Sequence, residues 1–363
     1  MLTPEASAHP VRSTRHGPDH PGNHHHRRHH RAHPGRASVR RITGLKPTGH
    51  LHLGNLVGAI RPTVAGQYRT ETIVFLADLH ALTVTHQPAQ IRTLTLEQAT
   101  VLLAAGLDPD RALLYVQSQV PQHTELHYLL ECATGYGEAQ RMIQFREKSA
   151  RHRQVRLSLL SYPVLMAADI LLHDVHEVPV GDDQSQHLEL TRTVANRFNA
   201  RYGDTFTVPR AVHPTVSSRV MDLADPTAKM GKTSSSEAGT ILLLDPPEVI
   251  RRKVLRAVTD PDRTVGYDPQ RRPGVANLLE ILAACLGGSP TDLAADYGSY
   301  AQLKKAVAEA VESMLRPIRL RYTELSRDPG YVRRVLADGA DRARDNAADT
   351  VHRAKRALGL LSH

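Results

Sequence analysis

The amino-acid sequence predicts an α/β fold, in which a parallel β-sheet covered by helices is followed by a C-terminal helical bundle. Short apolar runs alternate with longer amphipathic stretches after residue 40, and no convincing strand follows Pro247. This alternation is typical of parallel sheets, because each helix returns the chain to the same edge before the next strand begins. The 363 residues are enough for one large domain and a smaller one.

Four short apolar runs rich in β-branched or aromatic residues are predicted strands. They are Val39–Leu45, Thr72–Ala77, Ala112–Val116 and Val175–Val180. Apolar residues at helical spacing predict helices between and after these runs. The predicted helices are Leu53–Ile60, Ala89–Ala105, Glu125–Cys132, Glu138–Lys148, Pro163–Leu172, Asp183–Asn199 and Val332–Leu358. Because Gly339 disfavours a helix interior, we expect the last helix either to run through or to break near Asp338.

Residues 1–40 are a His- and Arg-rich extension that is predicted to be disordered. They contain nine of the 22 histidines, and seven arginines against Glu5 and Asp19. Such a segment has too little apolar surface to bury, and it lacks the apolar region of a secretory signal. A solvated extension, a start assigned upstream of Val39 and a loose Zn or Ni site are the open alternatives. The remaining residues carry a charge of +4, which is compatible with an RNA partner without indicating one.

Composition excludes several classes of protein. Hydrophobic content of 40% and charged content of 23% exclude a largely disordered chain. No uninterrupted apolar stretch of about 18 residues occurs, so no transmembrane helix is predicted. Cys132 and Cys285 are the only cysteines and lie far apart. We therefore expect no disulfide framework and a reducing cytosol as the location.

A glycine-rich loop between the first predicted strand and the first predicted helix is one candidate site. Residues 44–55 read Gly-Leu-Lys-Pro-Thr-Gly-His-Leu-His-Leu-Gly-Asn. Ligands bind at the carboxyl ends of parallel strands, where glycines allow close approach and a helix N-terminus offers N–H groups to phosphates. His52 and Asn55, three residues apart, could both point at a triphosphate. The alternative for two histidines in such a loop is a role as polar turn groups.

The segment Lys229–Thr233, followed by three serines, is a second candidate site. Two lysines three residues apart in a Gly/Ser-rich loop form a mobile pair of positive charges. Adenylyl transfer needs such charge against oxygens that become more negative in the transition state. A loop of this kind alone is more often solvated surface. Its combination with the glycine-rich loop, on an α/β framework, indicates nucleotide chemistry.

The two motifs, in this order, resemble those of the class I aminoacyl-tRNA synthetases. His52-Leu53-Gly54-Asn55 is similar to the HIGH motif of that class, and Lys229–Thr233 is similar to its KMSKS motif. Nearly all of residues 41–360 resembles the bacterial tryptophanyl-tRNA synthetase family within the class. The strings that carry this resemblance are Gly44–Ile60, Gln117–Pro121, Gly137–Met142, Gln144–Lys148, Ser161–Leu171 and Val178–Thr191.

The resemblance implies a domain organisation and an activity. It implies a Rossmann-like catalytic domain at 41–225, a mobile lysine loop at 226–240 and a helical anticodon-recognition domain at 241–363, whose last helix can pack back on the catalytic domain. The implied activity is ATP-dependent conversion of L-tryptophan to tryptophanyl-adenylate and transfer to tRNA(Trp). ATP with Mg²⁺, a homodimer, a cytoplasmic location and no membrane association are implied as well.

The resemblance also assigns residues to ATP. Those assigned to catalysis are Lys148, Lys229, Lys232 and His52. Those assigned to ATP binding are Lys46, Pro47, Thr48, His52, Gly54, Asn55, Gly181, Asp182, Asp183, Lys229, Met230, Gly231 and Lys232. Asp182 and Asp183 stand at a predicted helix start, so helix capping is the alternative for them. No protein side chain is assigned to a metal, because Mg²⁺ would bridge the phosphates.

A second set of residues is assigned to tryptophan. Asp169 would accept the indole N–H, and a buried acceptor aimed at this donor rejects Phe better than size could. The alternative for Asp169 is a helix-interior carboxylate paired with an Arg. The others in the set are Tyr162, Met166, His80, Val178, Val180 and Gln184. Core packing is the alternative for Tyr162 and Met166.

Several positions depart from the family pattern. Gly231 and Thr233 stand where the lysine motif has Ser, which would alter loop closure while both lysine charges survive. Lys46 stands where relatives commonly carry Gln, so a cation near both substrates could change sensitivity to inhibitors that mimic tryptophan. The chain contains no Trp, and Tyr128 lies in a string where relatives often have one. This favours an auxiliary enzyme that can be translated when charged tRNA(Trp) is scarce.

Two other functions stay open. A tyrosyl relative shares the framework, although the strings Ser161–Leu171 and Gly181–Thr191 favour tryptophan. A catalytically weak paralogue could act as an RNA-binding or regulatory protein. The presence of His52 and both loop lysines argues against it, and the changes at Gly231 and Thr233 argue for it.

Overall fold

The computed structural model describes residues 39–143, 145–146, 155–181, 184–212, 220–231, 237–262 and 264–361. Within these residues five strands form a parallel sheet in the order β3-β2-β1-β4-β5. They are β1 (Arg40–Leu45), β2 (Glu71–Leu76), β3 (Ala112–Val116), β4 (Glu177–Pro179) and β5 (Arg210–Val212). The predicted α/β fold is therefore confirmed. The predicted disorder of the N-terminal extension lies outside the described residues.

The strand predictions fail where the apolar signal is weak. β3 has the predicted bounds, and β1 and β2 begin or end within one residue of them. β4 is only three residues long; the predicted ends Val175 and Val180 are buried outside it, although the N–H of Val180 still donates to Val212 of β5 at 3.2 Å. β5 was not predicted, since its three residues are partly or fully exposed and carry no apolar run.

Helices cover the sheet and form the rest of the described chain. α1 begins at Leu53–Asn55, passes through a π-helical turn at Leu56–Ile60 and ends with Arg61–Gly66. The next helices are α2 (Asp78–Ala81), α3 (Pro88–Ala104), α4 (Gln122–Glu131), α5 (Tyr136–Gln140), α6 (Leu157–Leu171) and α7 (Ser185–Tyr202). The C-terminal helices are α8 (Pro247–Leu255), α9 (Pro273–Leu286), α10 (Pro290–Ala294), α11 (Tyr300–Leu325) and α12 (Pro329–Ala357).

Two helix predictions were wrong in their bounds. The helix predicted over Glu138–Lys148 is interrupted after Gln140: the N–H of Ile143 donates to the side chain of Gln186 at 2.8 Å, and residues 143 and 145–146 are helical again, with the N–H of Arg146 donating to Met142 at 3.1 Å. The helix predicted to start at Pro163 starts at Leu157, so the proline lies in its interior.

α12 runs unbroken through Gly339, so the break near Asp338 does not occur. An added Cβ at Gly339 would lie 1.8 Å from the carbonyl oxygen of Leu114 in β3. The glycine therefore serves close packing of the last helix on the sheet.

Each face of the sheet has its own core. In β2, Val74 and Leu76 pack with α1, α3 and the C-terminal helices α8, α9 and α11. Ile73 and Phe75 face the opposite core, with α4, α6, α7 and the second half of α12. This alternation follows from the two-residue period of a strand. Residues Ser38–His363 form one compact unit, and its predicted division into domains stays a prediction. Among the described helices none is both long and apolar enough to cross a membrane.

Candidate active site

The carboxyl ends of the parallel strands bring the predicted residues to one edge of the sheet. β1 leads into residues 46–52, β2 into Ala77 and α2, β3 into Gln117, and β4 into Val180 and Gly181. β1 lies between β2 and β4. This is the position at which strand order reverses and at which ligands bind in open α/β sheets.

Backbone hydrogen bonds tie the glycine-rich loop to the segment that follows the lysine loop. The N–H of Leu53 donates to the carbonyl of Ile241 at 2.9 Å, and the N–H of Leu243 donates to Leu51 at 2.9 Å. His52, between these two bonds, lies in an isolated antiparallel bridge. Two segments almost 190 residues apart in sequence thus meet at the start of α1.

The lysine loop begins beside the same helix start. An antiparallel bridge joins Met221 to Lys229, and the N–H of Met230 donates to Val220 at 3.1 Å. Lys229 is exposed whereas Met230 is buried. A Cβ placed on Gly54 would lie 3.8 Å from the Cβ of Val220. The buried Met230 therefore anchors the start of the loop next to the exposed Lys229.

His52 starts α1 and is buried. Its backbone N–H donates to Oδ1 of Asn55 at 3.2 Å, as in the capping of a helix N-terminus. A Cβ on Gly54 would lie 3.1 Å from Nδ1 of His52, so glycine leaves room for that ring. This local hydrogen bond, of the kind expected if the loop residues are polar turn groups, uses the backbone of His52 and leaves its side chain for the predicted phosphate role.

Helix α3 clamps the loop from the side. Gln98 is fully buried, and its Nε2 donates to the carbonyls of Lys46 at 3.1 Å and Gly49 at 2.7 Å. The neighbouring Glu97 accepts from Nδ1 of His50 at 2.6 Å. Sequence reasoning missed this pair, although a glutamine inside an apolar helix segment was a signal for a buried hydrogen bond.

Asp169 lies in α6 with 1% of its surface exposed. Its Oδ2 is 2.7 Å from Nε2 of His80, and its Oδ1 is 2.7 Å from Nδ1 of His123. Nε2 of Gln117 donates to Oδ1, also at 2.7 Å. The partners of Asp169 among the described residues are thus two histidines and an amide, rather than the Arg of the alternative interpretation.

The electrostatics of this cluster favour an ionised acid. Burial alone would raise the pKa of Asp169, but the charge of His80 and the hydrogen bonds from His123 and His80 outweigh it and hold the pKa well below its usual range. A carboxylate offers about four lone-pair sites. Three donors among the described residues occupy three of them, which leaves one site on Oδ2.

Tyr162 joins the two predicted halves of the site. Its hydroxyl is 2.7 Å from Nε2 of His187, and its ring lies edge-on to His80 with centroids 6.3 Å apart. Nζ of Lys46 lies 5.7 Å from the centroid of the same ring. Burial raises the pKa of Tyr162, so its hydroxyl stays protonated. The glycine-rich loop is therefore in direct contact with the predicted tryptophan pocket.

The other predicted residues surround these. Val178 and Val180 are buried, and Met166 and Gln184 are half-buried. Gly181 is exposed. Pro47 and Thr48 line a small cavity together with residues 81–94 of α2 and α3. The half-buried Met166 differs from its almost wholly buried neighbours in α6, which favours a pocket position over pure core packing.

Part of the predicted set lies outside the described residues: Lys148, Asp182, Asp183, Lys232 and Thr233. Gly231, the last described residue before the gap, is half-buried. The roles of these positions stay predictions. Sequence reasoning in turn missed Gln117, His123 and His187, although Gln117 stands at the end of β3, where a polar residue signals a site.

Comparison with known proteins identifies the family. The family described as tRNA synthetases class I (W and Y) matches residues 35–316. "Tryptophan--tRNA ligase 1" of Streptomyces coelicolor is 57% identical over 328 residues, which are 89% of this chain and 98% of that protein. The protein of the same description from Streptomyces avermitilis is 57% identical over 327 residues, 89% of this chain and 99% of that protein.

Solved structures agree with the sequence relatives. Tryptophanyl-tRNA synthetase from Mycoplasma pneumoniae superimposes with a TM-score of 0.84 at 36% identity, over 90% of this chain and 99% of that one. The Campylobacter jejuni enzyme, complexed with ADP and tryptophan, gives a TM-score of 0.77 at 31% identity, over 89% of this chain and 100% of that one. The chain therefore belongs to the class I aminoacyl-tRNA synthetases, in the bacterial tryptophanyl-tRNA synthetase family.

Proposed function

We propose that the chain activates L-tryptophan with ATP and transfers it to tRNA(Trp). One observation carries this proposal: the start of α1, the lysine loop and the buried Asp169 cluster border the same carboxyl edge of the sheet. A nucleotide and an amino acid bound there would lie next to each other. Tryptophan–tRNA ligation, the activity for which the relatives are named, likewise requires a nucleotide and an amino acid.

In the proposed reaction, the tryptophan carboxylate attacks the α-phosphorus of ATP. This forms tryptophanyl-adenylate and releases pyrophosphate. The acyl group then passes to the terminal ribose of tRNA(Trp). His52 and Asn55 would contact the phosphates, while Lys229, with Lys232 and Lys148, would offset the negative charge that develops on the leaving pyrophosphate.

Mg²⁺ would add charge to the phosphates, and the described residues fit an ion that arrives on ATP. Oδ1 of Asn55 already accepts from the N–H of His52. Both oxygens of Asp169 accept hydrogen bonds. Phosphate oxygens and water are then the ligands available to the ion, and they are the ligands that Mg²⁺ prefers.

Selection of tryptophan would rest on Asp169. The remaining lone-pair site on Oδ2 would accept the indole N–H, with Tyr162 and His80 beside it and Met166, Val178, Val180 and Gln184 around it. Phe has no ring donor, so its binding would leave a buried charge without its last partner. This penalty is larger than the one that a difference in ring size imposes.

We further propose the predicted division into a catalytic domain at 41–225, a mobile loop at 226–240 and an anticodon-recognition domain at 241–363. Exposed arginines on the C-terminal helices, Arg251, Arg252 and Arg316, suit an RNA backbone.

A homodimer is supported by large apolar side chains left in solvent on three neighbouring helices. They are Tyr128 in α4, Tyr136 in α5 and Leu157 in α6, with 66%, 67% and 77% exposed. Both cysteines are free, as suits a cytoplasmic location.

The test is ATP–pyrophosphate exchange with tryptophan and with tyrosine, followed by charging of tRNA(Trp). We expect exchange that depends on tryptophan, with tyrosine at background, and charging that depends on tRNA(Trp). Exchange with tyrosine alone would identify the tyrosyl alternative. RNA binding without any exchange would identify the paralogue without catalysis.

A further inference from the structure

A row of buried polar side chains continues from Asp169 away from the substrate edge. The hydroxyl of Tyr115 is 3.0 Å from Nε2 of His123, whose Nδ1 contacts Asp169. On its other side the same hydroxyl is 2.8 Å from Nε2 of His173. Tyr115, His123 and His173 are each at most 1% exposed. None of them was assigned a role by the motifs.

We propose that Tyr115 and His173 are positioning residues for tryptophan selection, which act by holding the His123 ring through its Nε2 and thereby the orientation of the Asp169 carboxylate. The inference rests on the proposed function, because it assigns to Asp169 the recognition of the indole. It adds two residues that do not touch the substrate.

The direction of each hydrogen bond follows from the acid at one end. An ionised carboxylate only accepts, so Nδ1 of His123 carries a proton and donates to Oδ1 of Asp169. We take His123 as neutral, so that its one N–H lies on Nδ1, its Nε2 accepts, and the hydroxyl of Tyr115 donates to Nε2. The hydroxyl oxygen then accepts from Nε2 of His173. Each hydrogen-bonding proton along the row is then assigned to one atom.

Burial keeps the two outer groups in the required states. Burial, with a contribution from the charge of Asp169, raises the pKa of the Tyr115 hydroxyl well above its usual value, so it remains a donor. Burial, with His123 and Arg40 nearby, lowers the pKa of His173 well below its usual value, so it is neutral. The reverse direction would put the His173 proton on Nδ1, which has no hydrogen-bond partner among the described residues.

The row is held by the sheet and by two helical segments on one of its faces. Tyr115 belongs to β3, His123 to α4, and His173 follows the end of α6, one helical turn beyond Asp169. Nη1 of Arg40 in β1 donates to the carbonyl of His173 at 2.5 Å. The rings of Tyr115, His123 and His173 also pack against one another, with centroids 5.7–5.8 Å apart. Their positions are thus set by packing as well as by hydrogen bonds.

The consequence for the substrate is a single open acceptor site. With Oδ1 taken by His123 and Gln117, the carboxylate cannot rotate without breaking two hydrogen bonds. Its free lone pair then stays on Oδ2. Without the Tyr115 hydroxyl, Nε2 of His123 has no donor, and the ring is held by a hydrogen bond at one nitrogen only, so that it can turn and release Oδ1.

The kinetic test is Tyr115→Phe, which removes one oxygen from a buried ring. We expect the KM for tryptophan in pyrophosphate exchange to rise about tenfold, as the loss of one buried hydrogen bond implies, while the KM for ATP stays within twofold. The preference for tryptophan over phenylalanine should fall with it. Tyr267→Phe is the matched control, since its hydroxyl donates to Glu280 at 2.9 Å in the C-terminal helices. Equal effects of the two variants would overturn the proposal.

Two variants of His173, the residue at the outer end of the row, test the proposal independently of Tyr115. His173→Gln retains a donor that can reach the hydroxyl, whereas His173→Phe does not. We expect tryptophan affinity to be largely kept in His173→Gln and lost about fivefold in His173→Phe. Loss of the same size in both variants would contradict a role through hydrogen bonding.

The decisive observation is the tautomer of His123 in the substrate-free enzyme, measured by ¹⁵N NMR of the histidine side chains. We expect the proton on Nδ1 and a hydrogen-bonded Nε2 in the wild type, and in Tyr115→Phe an Nε2 signal that moves toward that of a nitrogen without a hydrogen bond. A proton on Nε2, or on both nitrogens, in the wild type would refute the inference. This measurement needs no substrate, so it stands whether or not Asp169→Asn changes amino-acid selection, which tests the proposed function instead.

Discussion

The tryptophan half and the nucleotide half of the site are built in different ways. Around Asp169 the polar groups are buried side chains that satisfy one another, with His80, His123 and Gln117 at most 5% exposed. Around the start of α1 the contacts are mostly backbone hydrogen bonds, and Lys229 is exposed. Selection between similar rings needs a rigid hydrogen-bond acceptor. Adenylyl transfer needs cations that can follow the negative charge as it develops on the phosphates. The two halves should therefore respond differently to substitution.

The largest effect is expected from Asp169→Asn, which removes the charge at the centre of the rigid half. The catalytic efficiency with tryptophan should fall about 10³-fold, or about 4 kcal/mol, because the NH₂ group of Asn would face donors from which the carboxylate now accepts. Pyrophosphate exchange with tryptophan and with phenylalanine measures this fall in efficiency and any change in selectivity. Glu177→Gln is the control, a buried acid bonded to Arg41 at the opposite edge of the sheet, and it should cost stability without changing selectivity. A selective Asp169→Asn enzyme would disprove the assignment.

A smaller loss is expected from Lys229→Ala in the mobile half. The rate of pyrophosphate exchange at saturating substrates should fall about 10²-fold, because a cation that faces the transition state is removed. The KM for tryptophan should change little, in contrast to the Asp169 variant. Lys305→Ala, on the exposed face of α11, should leave both constants unchanged. If Lys229→Ala raised the KM for tryptophan alone, the contrast between the halves would be wrong.

Gln98→Leu tests whether the nucleotide loop depends on its clamp. Both hydrogen bonds to the carbonyls of Lys46 and Gly49 would be lost. We expect the KM for ATP to rise about tenfold and the KM for tryptophan to stay within twofold. Gln67→Leu is matched to it, since Gln67 is also buried and donates to the carbonyl of Gly106 away from the site. An ATP effect shared by both variants would indicate general destabilisation.

The smallest effect is a dependence of stability on pH that arises in the rigid half. The lowered pKa of His173 means that below about pH 6.5 the unfolded chain takes up a proton that the folded one does not. Its contribution to stability is complete above that pH and is lost as the pH falls, by at most about 1.4 kcal/mol per pH unit. Urea unfolding between pH 7.5 and 5.5 measures this. His173→Gln should flatten the slope, and an unchanged slope would show that another group is responsible.

Sequence reasoning succeeded where the signal was local and failed where the partner was remote. β3 was predicted with its observed bounds because five apolar residues stand between loops. β5 was missed because a short exposed edge strand is held by its ladder with β4 rather than by its own residues. Gly339 was read as a weakness of the last helix, and its contact with Leu114, more than 200 residues earlier, reverses that interpretation. Asp169 was found from its string, whereas His123 and Gln98 were not.

The order of strands and helices, the two motifs and the family resemblance were all determined by the sequence itself, because apolar period, glycine spacing and charge are local properties of a chain. The tertiary structure alone decided which groups meet. It joined residues 51–53 to 241–243, surrounded Asp169 with donors from three different segments and continued the row to Tyr115 and His173. Hydrogen-bond partners of a buried group depend on close packing between distant segments, and no local pattern encodes that packing.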